Sequence, residues 1–318
     1  MWARSAEVAQ QINDEHLNNR YLPDFPLPPS LTASHDLAEV AECSDITIMA
    51  VPSHGFRQTL VALAPYQRPW TPVVSLVKGL EQVTNKRMTE IVAEVLPGHP
   101  AGVLAGPNIA REVVAGYAAA AVIAMPDQHL AAQLQELFRT KFFRIYSTSD
   151  VTGVEIAGAL KNVFAIAVGM GDGIGAGDNT KAMIITRSLR EMSKLGEKLG
   201  GERETFAGLA GMGDLIATAG SHLSRNHRLG EELAKGRTWA EIEATLPGTA
   251  EGAYTVRAAL GLAERHGVDM PIAREVARAL FEGKSVQRCM VDLLARESKD
   301  ELADYGRWVE RLEAEGEV

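Results

Sequence analysis

A chain of 318 residues with 46% hydrophobic content is long enough to bury two cores, so two domains are expected. Its 41 Asp and Glu outnumber 32 Lys and Arg, and the net charge of -9 argues against a surface that lies along nucleic acid or anionic lipid. Cys43 and Cys289 lack metal-ligand spacing and suit a reducing cytoplasm, while no apolar run approaches the roughly 20 residues that span a bilayer.

From Leu31 to about Asp150, short β-rich runs alternate with amphipathic segments. Strands are predicted in "DITIMAVP" (45–52), "TPVVSLVKG" (71–79), "AGVLAGP" (101–107), "AAAAVIAM" (118–125) and "FFRIYSTSD" (142–150). Helical spacing marks "DLAEVAEC", "GFRQTLVALAPY", "KRMTEIVAEVLP" and "DQHLAAQLQELFRT" between them. The pattern predicts a doubly wound, mostly parallel α/β sheet over residues 1–150. Beyond it only helical patterns punctuated by glycine follow, giving an all-helical domain over 151–318. A polar, acidic tail begins near Arg296. The start, "MWARSAEVAQ", carries no signal-peptide core, so a cytoplasmic protein without membrane insertion is expected.

A dinucleotide-binding sheet ordinarily opens with strand, G-x-G-x-x-G and helix, because the glycines let backbone approach the pyrophosphate at a helix N-terminus. No such motif occurs in this chain, and the glycines after Val168 follow a helical run with the wrong spacing.

Lys161 and Asn162 interrupt an apolar helix, "GVEIAGALKNVFAIAVGMGDGIGAGDN". A lysine there either snorkels to water or sits in a cleft with its pKa lowered by desolvation, which suits acid-base work. Asp214 and Thr218, four apart, share a helix face. Ser224 can cap a helix whose first turn holds Arg225 and Asn226, either as an anion site or as a plain cap with a solvated arginine. Lys78 and Gly106-Pro107-Asn108 end predicted strands, where ligands of open α/β sheets bind. His54 and His222 are the best placed histidines, with surface roles the better reading, and no Cys/His/Asp set suggests a metal.

Jointly, "AVPS" (50–53), "VKGLE" (77–81), "AGPNIAREV" (105–113), the Lys161 segment, "GLAGMGDLIAT", "LSRNHRLG" and "AEGAYT" (250–255) resemble, in order, the bacterial-type NAD(P)-dependent glycerol-3-phosphate dehydrogenases. The resemblance implies reversible hydride transfer between NAD or NADP and a small molecule, glycerone phosphate, giving sn-glycerol 3-phosphate for phospholipid synthesis, and a homodimer. It makes Lys161 the acid that protonates the carbonyl oxygen, Asn162 a substrate holder, and Asp214 and Thr218 the groups that orient the lysine and hydroxyls. Ser224, Arg225 and Asn226 match the phosphate-binding positions, with Arg225 also on the cofactor side. Lys78, Gly106 and Asn108 match the substrate side of the sheet; Lys78, Ala110, Thr249 and Glu251 match cofactor contacts. Asn108-Ile109 stands where the family has Ser or Thr and an aromatic. "WAR" (2–4) resembles the end of the family's second strand and places Arg4 near the adenosine ribose. The family's first strand, glycine loop and helix are therefore expected to be missing. The competing expectations are a truncated relative that binds phosphate ligands or a partner without turnover, and a dehydrogenase acting on another hydroxy acid.

Overall fold

The computed structural model describes residues 1–246, 248–297 and 301; most of the expected acidic tail lies outside them. A five-stranded sheet is formed by β1 (Thr47–Met49), β2 (Val73–Ser75), β3 (Ala101–Ala105), β4 (Ala119–Ala124) and β5 (Phe143–Thr148), in that spatial order. The pairs are parallel except β3 with β4, which run antiparallel with Leu104 opposite Ile123. Each strand falls inside its expected segment but is shorter, because the flanking residues leave the sheet as loops.

Helices α1 (Ala6–Glu15), α2 (Leu37–Glu42), α3 (Phe56–Leu63), α4 (Met88–Val95), α5 (Ala110–Val114) and α6 (Gln128–Phe138) belong to this part. Asp36 and Asp127 cap α2 and α6 by accepting hydrogen bonds from first-turn N–H groups. Two layers of core cover the sheet's faces. Phe56, Leu60, Val73 and Ile91 fill one, and Val74, Leu104, Ile123, Leu134 and Ile145 fill the other. Among the described residues β1 pairs only with β2, and Ile48 on it is 45% exposed between buried Thr47 and Met49. Trp2 bridges Ser34 in an isolated parallel contact outside the five strands.

From Val151 onward the described elements are helical: α7 (Val151–Gly173), α8 (Asp178–Lys198), α9 (Arg203–Ala207), α10 (Asp214–Gly220), α11 (Arg225–Ala234), α12 (Trp239–Glu243), α13 (Glu251–Arg265), α14 (Pro271–Phe281) and α15 (Val286–Leu294). Asp150 caps α7, accepting from Gly153 N at 2.7 Å. α7 is apolar on all sides because α8, α10, α11, α13 and α14 surround it. This corrects the expectation that no run is long and apolar enough to cross a membrane. By length and composition α7 is, yet 89% of its most apolar window is buried inside the fold, where a core helix belongs.

Backbone meets backbone where α7 crosses α11. A Cβ on Gly169 would lie 2.0 Å from His227 O, and one on Gly230 would lie 2.2 Å from Ile166 O. No side chain larger than hydrogen fits this seam without parting the helices. Both cysteines are free thiols, Cys43 exposed and Cys289 buried.

Candidate active site

Lys161 does not snorkel. Its side chain is 7% exposed, and Nζ donates to Asp214 Oδ1 at 2.8 Å and to Thr218 Oγ1 at 2.5 Å. Thr218 in turn donates to Asp214 Oδ1 at 3.2 Å, so the predicted shared face of α10 does converge on the lysine. A π-helical turn over Leu209–Gly213 delivers Asp214 into the site; such turns recur at functional positions.

Lys78 arrives from the sheet. Extending from the loop after β2, its Nζ donates to Gly106 O at 3.0 Å, Asn108 Oδ1 at 2.8 Å and Asp214 Oδ2 at 2.7 Å. One carboxylate thus holds two ammonium groups, one from the sheet and one from α7. Gly106 has φ of +143°, and a Cβ there would lie 2.8 Å from Ala121 Cα, so only glycine lets β4 come this close.

Burial is the largest influence on Lys161, bringing its pKa down to about 8; neighbouring Lys78 pushes the same way, and Asp214 opposes them. Burial alone would raise Asp214, but Lys161 and Lys78 outweigh it and hold the carboxyl below its usual value. The site therefore holds an anionic carboxylate and a lysine able to gain or lose a proton near neutral pH.

Asn162 and Asn226 form a polarised chain. Asn162 Nδ2 donates to Lys78 O at 2.9 Å, Asn226 Nδ2 donates to Asn162 Oδ1 at 2.9 Å, and Gly252 N donates to Asn226 Oδ1 at 3.0 Å. Backbone groups at both ends fix the direction of each amide, leaving each one N–H to spare. Ser224 caps α11, accepting from His227 N at 3.2 Å. Arg225, in the first turn, is exposed, and among the described residues no carboxylate pairs with it. Gly248, at φ +78°, packs against this guanidinium; a Cβ there would lie 2.5 Å from Nη1.

Ala110 opens α5 just after Asn108, and Thr249 precedes the N-cap of α13, whose first residue is Glu251. Glu251 accepts from Ser53 N at 3.3 Å and from the Ser53 hydroxyl. Arg4 stands exposed ahead of α1, and no described hydrogen bond joins it to these groups. His54 lies against Tyr254 and His222 against His227, both at the surface.

Three features went unread in the sequence. Ser53 and Gly79 meet Glu251 across the fold. Buried Glu155 of α7 accepts from Arg87, Thr89 N and Thr89 Oγ1, tying α7 to the start of α4. Buried His227 holds Asp172 at 2.8 Å. Each joins partners far apart in sequence, so no local spacing announces it.

Residues 1–131 match the family model for the NAD-dependent glycerol-3-phosphate dehydrogenase N-terminus, and residues 150–291 match that for its C-terminus. The chain belongs to the NAD-dependent glycerol-3-phosphate dehydrogenase family. Glycerol-3-phosphate dehydrogenase (NAD(P)+) 1 of Mycobacterium tuberculosis is 58% identical over 295 residues, 92% of this chain and 86% of the relative. Glycerol-3-phosphate dehydrogenase (NAD(P)+) 2 of Sphingopyxis alaskensis is 51% identical over 304 residues, covering 96% and 90%. The crystal structure of glycerol-3-phosphate dehydrogenase from Coxiella burnetii superposes with a TM-score of 0.89 at 34% identity, covering 93% of this chain and 90% of that one. A glycerol-3-phosphate dehydrogenase of this build uses NAD or NADP, and the loops after β1, β2 and β3 meet α7, α10 and α13 beyond the strand ends, where ligands of open α/β sheets bind. Lys78 lies on the loop after β2, and Ala110 and Glu251 open α5 and α13; no G-x-G-x-x-G occurs in this sequence.

Proposed function

We propose that the protein reduces glycerone phosphate to sn-glycerol 3-phosphate with NADH or NADPH, reversibly, and that Lys161 is the proton donor. The observation that carries this is the buried Lys161–Asp214–Lys78 constellation, with a pKa of about 8 on the group that must give up a proton. Residues 1–150 would bind the cofactor and 151–318 the substrate, with chemistry where the two meet.

The nicotinamide, when bound, supplies the hydride that forms the new C–H bond at C2. As the carbonyl π bond breaks, its electron pair moves to oxygen, and the Lys161 ammonium stabilises and then protonates that oxygen. Asp214 and Thr218 hold the ammonium in place. Lys78, held to Gly106 and Asn108, adds a second positive charge on the sheet side. Arg225 and the capped N-terminus of α11, with the spare N–H of Asn226, receive the phosphate. The spare N–H of Asn162 serves a substrate hydroxyl oxygen, and Ala110, Thr249 and Glu251 flank the cofactor.

The two free thiols suit a cytoplasmic setting, and a homodimer is part of this reading, which light scattering tests. The deciding experiment follows nicotinamide absorbance with glycerone phosphate, using NADH and NADPH in turn. Binding of phosphate ligands with no turnover for either nucleotide would overturn this reading.

A further inference from the structure

The loop after β1 is fastened to the first turn of α13. Ser53, 2% exposed, gives both its backbone N–H and its hydroxyl to the two oxygens of Glu251. The next residue, His54, lays its ring 6.0 Å, centroid to centroid, from Tyr254, one turn along α13. Gly79 passes through the same point: a Cβ there would lie 3.0 Å from Glu251 Oε2, Ser53 Cβ and Ser53 Oγ. Gly79 directly follows Lys78, so one contact cinches the loops after β1 and β2 to the start of α13.

A carboxylate in the first turn of a helix is favoured by the helix dipole, and its hydrogen bonds are strong because the acceptor is charged. Glu251 uses one acceptor position on each oxygen for Ser53, and among the described residues no other donor bonds to it. Hydroxyl and carboxamide donors, which a nicotinamide nucleotide carries, match such an acceptor.

We propose that Ser53 is a positioning residue for the cofactor end of the site, acting through Glu251: it aims that carboxylate at a hydroxyl or carboxamide donor of the nucleotide, and Gly79 is the small residue that lets the clasp close. The inference rests on the cofactor-facing role of Glu251 proposed above. Arg225 and Lys161 hold the substrate from other elements, so the clasp bears on cofactor and not on glycerone phosphate.

The test compares Ser53→Ala, Glu251→Ala and the double variant by steady-state kinetics and by NADH fluorescence titration. Losing a hydrogen bond to a charged group should weaken NADH by about tenfold in Ser53→Ala, with the KM for glycerone phosphate within about twofold of the parent. In the Glu251→Ala background the Ser53 change should add nothing, because the residue through which it acts is gone. An unchanged affinity for NADH in Ser53→Ala, or a loss that adds in full to that of Glu251→Ala, overturns the clasp. So does a loss shared equally by cofactor and substrate, the mark of a merely structural role. The titration reads the clasp without turnover, whereas absence of turnover in the parent counts against the proposed reaction alone.

Discussion

Lys161 Nζ lies 2.8 Å from Asp214 Oδ1, and both side chains are almost wholly buried, at 7% and 3% exposure. A buried ion pair gives weak evidence of stability, since desolvation can offset the attraction. Its value here is chemical. Asp214 keeps a proton on a lysine that burial would otherwise strip.

Lys161→Ala should lower kcat by about 10²- to 10⁴-fold while moving the KM for glycerone phosphate much less, because proton donation matters chiefly in the transition state. Steady-state kinetics decide it, and a fall in kcat of less than about tenfold would remove Lys161 from the role of acid.

The direction of the reaction sets the sign of the pH dependence. Reduction needs the ammonium, so kcat/KM for glycerone phosphate should be level below a pH of about 8 and fall above it. Oxidation of glycerol 3-phosphate needs the free amine and should rise through the same pH. Asp214→Asn removes the charge that favours the ammonium, leaving burial and Lys78, so the break should move to lower pH. A profile of this variant breaking at or above the parent's pH would contradict the assignment.

Arg225→Ala should weaken capture of the phosphate by about 1.5 to 3 kcal/mol, read in kcat/KM. Dihydroxyacetone, which has no phosphate, is the control. Equal losses on both substrates would show that Arg225 is not the phosphate anchor.

Glu191 of α8 supplies a stability prediction away from the site. Burial pushes its carboxyl up to about 8, although it accepts from Ile272 N at 2.8 Å and Ala273 N at 3.3 Å at the start of α14. With its folded pKa above the unfolded value, the folded state holds the extra proton. That contribution is complete at low pH and is lost as pH rises toward 8. Calorimetry at pH 5 and pH 8 should show a drop in Tm that is smaller in Glu191→Gln; an identical drop would mean that the proton is not held there.

Much of this was legible in the sequence. Short β-rich runs marked all five described strands, and the switch to helical spacing after Asp150 falls where β5 gives way to α7. α1 escaped notice because "AEVAQQINDE" buries only Ala9 and Ile12, and α5 because five residues show little periodicity. Lys161 stood out as a cation in an apolar run, and the spacing of Asp214 and Thr218 put them on one face. The double grip of Asp214 on Lys78 was invisible, and Ser53 meets Glu251 198 positions away, where only the folded chain can join them.

The glycine seam between α7 and α11 has a geometric corollary. Lys161 rides on one helix and Arg225 on the other, and backbones in contact at Gly169 and Gly230 cannot slide without colliding. The proposed proton donor and the proposed phosphate anchor are therefore mounted on one rigid calliper. On those roles its jaws would gauge the interval between an anionic group and a carbonyl, and a ketone set one carbon farther from its phosphate should be a poorer substrate than glycerone phosphate.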